Sequence, residues 1–137
     1  MTTASLRVYR VAILDDDYDA ATAVAAVLRR SDLRTAVFGT VESLLEACDD
    51  EGFDAFVLDW LLADRTTLDL VRVLRARRQS ARAPIFLLSG SLAVDGFPCD
   101  PVLAHAISSY DLCYRLKPYS ALRLAQELLA VFHRRAP

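Results

Sequence analysis

The sequence predicts an α/β domain in which a parallel β-sheet is covered by helices on both faces. Three observations point there. Short apolar runs alternate five times with stretches of helical spacing, the pattern of repeated strand–helix crossovers. Those runs are nearly continuous rather than alternating in polarity, as strands buried on both faces must be. The length of 137 residues suits one such unit and leaves little room for a second. The expectation is therefore a single domain over residues 1–137 with its core at about 7–134.

Taken in order, Val8 to Leu14 is an apolar run suited to a buried parallel strand. Asp19 to Arg30 follows at helical spacing, rich in alanine and carrying Val24, Val27 and Leu28. Leu33 to Phe38 forms the second strand; Thr40, followed by Ser43, Leu44 and Leu45, opens a helix that stops before Gly52. Phe53 to Leu58 is the third strand, and Thr67 to Arg78 a helix with Leu70, Val71 and Leu74 on one face. The fourth strand, Pro84 to Leu88, is bounded by Pro84 and Gly90. Asp100 to Ile107 reads as a weak helix, Tyr110 to Leu116 as the fifth strand, and Tyr119 to Arg134 as a strongly amphipathic final helix. Five units joined by right-handed crossovers give a flavodoxin-like doubly wound sheet with strand order 2-1-3-4-5.

Composition narrows the function classes. Hydrophobic residues make up 54% of the chain, enough for a packed core without disulfide or metal staples. No apolar run approaches the roughly 20 residues that span a bilayer, and Met1 to Arg7 lacks the apolar stretch of a secretory signal. The expected location is cytoplasmic, with no membrane partner. Net charge is −2 without a basic tract, so direct nucleic-acid binding is not expected. The densest basic stretch, Arg72 to Arg82, falls at helical spacing and reads as a solvated helix face. Cys48, Cys99 and Cys113 have neither disulfide nor zinc spacing and read as small buried hydrophobes. His105 and His133 share no ligand spacing and read as surface or helix-end residues. Lys117 is the only lysine against 16 basic residues in all, which marks a position where an ammonium group itself is needed.

In doubly wound sheets, ligands bind beyond the carboxyl ends of the strands. Here the first strand runs into Asp15-Asp16-Asp17, the third into Asp59, the fourth into Ser89-Gly90 and the fifth into Lys117-Pro118. Singly, each has an ordinary explanation: an acidic turn or helix cap, a loop residue, a surface charge. Jointly they put carboxylates, a hydroxyl and an ammonium at one sheet edge. Clustered carboxylates repel unless a cation lies between them, and a set of hard oxygens favours Mg²⁺. A carboxylate nucleophile, a divalent cation, a lysine and a hydroxyl are what phosphoryl transfer to an aspartate requires.

With Ile13-Leu14-Asp15-Asp16-Asp17, Phe56-Val57-Leu58-Asp59, Phe86-Leu87-Leu88-Ser89-Gly90 and Tyr114-Arg115-Leu116-Lys117-Pro118, the chain resembles the receiver domains of two-component response regulators over nearly its whole length. The resemblance implies that Asp59 is the phosphoryl acceptor. It implies that Asp15, Asp16, Asp59 and the backbone carbonyl of Leu61 hold Mg²⁺. Ser89 becomes the switch hydroxyl, Lys117 the partner of the phosphoryl oxygens, and Tyr114 the aromatic switch that turns inward. A cis Lys117–Pro118 peptide is also implied. The implied partners are a histidine kinase or histidine phosphotransfer protein as donor, and a downstream protein target or output domain. A homodimer is a further option. The chain then acts alone through protein contacts or with an output region beyond it, as a switch with at most weak autophosphatase activity rather than as an enzyme.

The chain also departs from that family. The stretch Trp60-Leu61-Leu62-Ala63-Asp64-Arg65-Thr66-Thr67-Leu68 lacks the proline and the Asp-Gly pair usual after the acceptor. Thr66 or Thr67 is expected to cap the next helix, and Asp69 suits its first turn. Leu61, two residues past the acceptor, cannot hold a water, which predicts slow autodephosphorylation. The segment between Ser89 and Lys117 is longer than usual and carries Gly96, Pro98 and Pro101, so its helix is expected to be short, displaced or partly irregular. From Pro84 through Leu103 it also resembles the N-terminal wing domain of ornithine/lysine/arginine decarboxylases, an unphosphorylated assembly domain of the same fold. A phosphatase resembling the haloacid dehalogenase superfamily, with Asp15 as nucleophile, leaves Asp59 unexplained.

Overall fold

The computed structural model describes residues 7–63, 65–90, 93–94 and 97–135. In chain order the elements are β1 (Arg10–Leu14), α1 (Tyr18–Arg30), β2 (Arg34–Phe38), α2 (Val41–Asp50), β3 (Ala55–Asp59), α3 (Leu68–Ala76), β4 (Ile85–Ser89), β5 (Ala93–Val94), β6 (Phe97–Pro98), α4 (Pro101–Tyr110), β7 (Cys113–Leu116) and α5 (Ala121–Arg135). The main sheet runs β2-β1-β3-β4-β7, with every neighbouring pair parallel. This is the predicted flavodoxin-like order.

Alternate residues of each strand feed two cores. Ala12, Leu14, Phe56, Leu58 and Leu87 face α2, α3 and α4, where they meet Leu44, Leu70, Leu74 and Leu103. Val11, Ile13, Ala55, Val57 and Phe86 face α1 and α5 and meet Ala25, Leu28, Leu124 and Leu128. Burial on both faces explains why the strands read as unbroken apolar runs. The register then aligns the strand ends: Leu14 lies beside Leu58, Asp59 beside Leu88, and Ser89 beside Leu116.

Polar caps fix where the helices begin. Asp17 accepts from the Ala20 amide, Thr40 from Ser43 and Asp100 from Val102, each contributing about 1 kcal/mol. The segment after Ser89 differs from expectation. A short antiparallel pair, β5 and β6, takes up the extra residues, and α4 is a regular ten-residue helix that starts at the capped Pro101 and anchors through Leu103 and Ala106. Gly96 lies outside the described residues.

The Arg72–Arg82 stretch is not one solvated helix face. α3 ends at Ala76, and Arg75 turns inward. It donates to the carbonyls of Tyr110 (2.8 Å), Ala83 (2.7 Å) and Asp111 (3.2 Å). Cys48 is buried as expected, whereas Cys99 is exposed. His105 and His133 are both exposed. Among the described residues, no helix is long and apolar enough to cross a membrane.

Candidate functional site

Strands β1, β3, β4 and β7 deliver their terminal side chains to one edge of the sheet. Asp59, the last residue of β3, and Asp15, just past β1, keep only 11% and 13% of their side-chain surface exposed. Asp16 is exposed. One carboxylate oxygen from each of the three lies within 4.8 Å of the others. From the end of β7, Lys117 reaches over the group, with Nζ 3.2 Å from Asp59 Oδ1 and 3.7 Å from Asp15 Oδ2.

Backbone groups orient the acids. The Asp17 amide donates to Asp15 Oδ1 (2.9 Å), and the Ala63 amide donates to Asp16 Oδ2 (2.7 Å). The second bond ties the loop after β3 to the end of β1. The Lys117 amide donates to the Ser89 carbonyl (2.8 Å), locking the tops of β4 and β7 together. Burial pushes the Asp59 carboxyl above its ordinary range; Lys117 pulls it down and the Asp15 and Asp16 charges push it up. Three carboxylates against one ammonium leave uncompensated negative charge among hard oxygen donors, the chemistry that suits a small hard dication such as Mg²⁺.

Ser89 is buried at the end of β4, 3% exposed. Tyr114 is partly buried and packs against the core beneath α3 and α4. Its hydroxyl is shut off from water without a hydrogen-bond partner among the described residues. The Lys117–Pro118 peptide is cis, as the sequence motif implies. Leu61 is 61% exposed, and its residue bridges Thr66 across the loop. Thr67 stands at the first position before α3 but makes no capping bond with its side chain. Instead its hydroxyl donates back to the carbonyl of Asp59 (3.0 Å), so the expected cap is a tie to the end of β3.

No family model matches the chain. Sensory transduction protein RegX3 of Mycolicibacterium smegmatis is 30% identical over 126 residues, which is 92% of this chain and 51% of that protein. The chain thus spans about half the length of the curated relative it matches. DrrB, a Thermotoga maritima OmpR/PhoB homologue, superposes with a TM-score of 0.75 at 25% identity, over 93% of this chain and 54% of DrrB. The chain belongs to the receiver domains of response regulators. Receiver structures of lower identity share the fold: the CheY-like receiver domain protein of Methanospirillum hungatei JF-1 gives a TM-score of 0.79 at 16% identity, covering 93% of this chain and 96% of that one.

In this receiver Asp15, Asp16, Asp59 and Lys117 meet directly, Ser89 ends the adjoining strand β4, and Tyr114 lies farther down β7, paired with Leu87. Sequence reasoning missed Thr67 as a tie to Asp59, and it missed the bond that the Ala63 amide makes to Asp16. Nothing local distinguishes a threonine that caps its helix from one that reaches back to a strand.

Proposed function

We propose that this receiver accepts a phosphoryl group on the Asp59 carboxylate from the phosphohistidine of a kinase or phosphotransfer protein. The observation that carries the reading is the ammonium of Lys117 placed 3.2 Å from Asp59, above three converging carboxylates. In the transfer, the phosphorus–oxygen bond to Asp59 forms as the phosphorus–nitrogen bond of the donor breaks, and the imidazole leaves with the electron pair. Asp15, Asp16, Asp59 and the carbonyl of Leu61 would hold Mg²⁺, which screens negative charge on the phosphoryl oxygens. Lys117 pairs with those oxygens, and Ser89 supplies a hydroxyl toward them. The added charge then biases the Tyr114 face, which selects a downstream target, an output region or a second copy. On this reading the domain works in the cytoplasm as a switch, with autophosphatase activity kept low because the exposed Leu61 side chain offers no polar group to a hydrolytic water.

The test is intact-protein mass spectrometry after incubation with Mg²⁺ and acetyl phosphate, comparing wild type with Asp59→Asn. The expected result is a Mg²⁺-dependent gain of one phosphoryl group that the variant loses and that decays slowly once the donor is removed. An adduct that survives the substitution puts the chemistry on another residue. No adduct in either protein favours an unphosphorylated interaction domain. A lifetime of seconds overturns the role given to Leu61.

A further inference from the structure

Lys117 stands midway between two side chains that grip one carboxylate. Arg115, two residues before it, donates to Glu127 of α5 through Nη2 (2.5 Å to Oε2) and through Nε (3.2 Å to Oε2). Tyr119, two residues after it, donates its hydroxyl to Oε1 of the same carboxylate. The Arg115 guanidinium also lies over the rings of Phe86 (5.5 Å) and Tyr119 (5.9 Å), and its Nη1 donates to the carbonyl of Tyr114 (2.7 Å). The hydrogen bonds from Arg115 hold the Glu127 carboxyl below its ordinary range, so the carboxylate is the form the cluster requires.

An isolated ion pair with this much exposure, 31% and 30% of the two side chains, contributes little to stability. The arrangement here has a different geometric effect. It pins the chain on both sides of Lys117 to a single point on a helix packed against the sheet. A lysine side chain has many rotamers open to it, and its aim depends on where its backbone is held.

We propose that Glu127 is a positioning residue: by holding Arg115 and Tyr119 together it fixes the turn that aims Lys117 at Asp59. The proposal rests on the phosphoryl-acceptor reading for its functional effect, but not for its structural one.

Because Lys117 is the only lysine of the chain, protein grown with ε-¹³C-lysine gives one lysine side-chain NMR signal. In the Glu127→Ala variant that signal is expected to gain the relaxation behaviour of a mobile methylene. The rate of phosphorylation by acetyl phosphate at saturating Mg²⁺ is expected to fall about tenfold, a part of the roughly hundredfold that a full 1 Å misplacement can cost. The Mg²⁺ concentration for half-maximal rate stays unchanged, since Asp15, Asp16 and Asp59 are untouched. Glu127→Gln, which keeps an acceptor in place, restores part of the rate. In a Lys117→Ala background, Glu127→Ala causes no further loss. An unaltered lysine signal in Glu127→Ala overturns the proposal, as does a slowdown that adds to that of Lys117→Ala. Should Glu127→Ala fail to fold, Tyr119→Phe removes one grip and carries the same measurement. If wild type takes up no phosphoryl group, the acceptor reading fails, and the lysine signal alone decides whether Glu127 orders Lys117.

Discussion

The turns that carry Asp59 and Lys117 to the same place are held by opposite means. After Asp59 the chain is anchored by burial and backbone: Trp60 and Leu62 are 2% and 6% exposed. The Thr67 amide donates to the Trp60 carbonyl (2.9 Å) and the Leu62 amide to Arg65 (2.8 Å). After Lys117 the hold is side chain to side chain, on the part-exposed cluster of Arg115, Tyr119 and Glu127. Apolar anchors and backbone bonds are indifferent to salt and to mild acid. Ion pairs are not. The turn after Asp59 therefore depends on charge mainly through the bond from the Ala63 amide to the Asp16 carboxylate, whereas the turn after Lys117 depends on it throughout.

The largest expected effect would break the first half of this contrast. Trp60→Ala removes a fully packed anchor and should cost about 3–5 kcal/mol in urea unfolding; a loss below about 1 kcal/mol would show that the loop is held by something other than burial. Thr67→Val, a smaller change, deletes the hydroxyl that reaches the Asp59 carbonyl from a fully buried position. It should cost about 1–2 kcal/mol by the same measurement, independently of salt. Last comes the lysine turn. The folded-state carboxyl of Glu127 lies below its unfolded value, so its contribution is fully present above the unfolded value and disappears as pH falls through the folded one. The stability gap between wild type and Glu127→Gln should therefore be present at neutral pH, shrink with added salt and vanish on acidification. A gap that ignores pH would mean that the carboxylate charge is irrelevant to the turn.

The strands were legible because burial on both faces leaves continuous apolar runs, and the candidate site because strand ends in a parallel sheet converge. Asp15, Asp59, Ser89 and Lys117 needed only their places after four such runs. Tertiary ties were not legible. α4 outruns its expected end at Ile107 and reaches Tyr110, where Arg75, 35 residues earlier, takes the Tyr110 carbonyl. A weak local pattern gives no notice of that donor. Glu127 likewise looks like any polar residue of an amphipathic helix, because its partners lie eight and twelve residues back. Thr67 takes the expected N-cap position, but its hydroxyl reaches the Asp59 carbonyl and not the helix.

The outer margin of β2 has a consequence for behaviour at high concentration. The Arg34 amide donates to Tyr9 and the Phe38 carbonyl accepts from Asp15, so the intervening Thr35 and Val37 turn their backbone groups away from β1, as strand geometry dictates. Such a row of open amides and carbonyls is a template on which a foreign strand can add. Arg29, from the last turn of α1, donates to the Thr35 carbonyl (3.4 Å), and Arg34 stands exposed at the start of the strand. An incoming strand would have to strip one guanidinium from its acceptor and bury another. The arginines that look like generic surface charge thus act as gatekeepers against edge-to-edge aggregation.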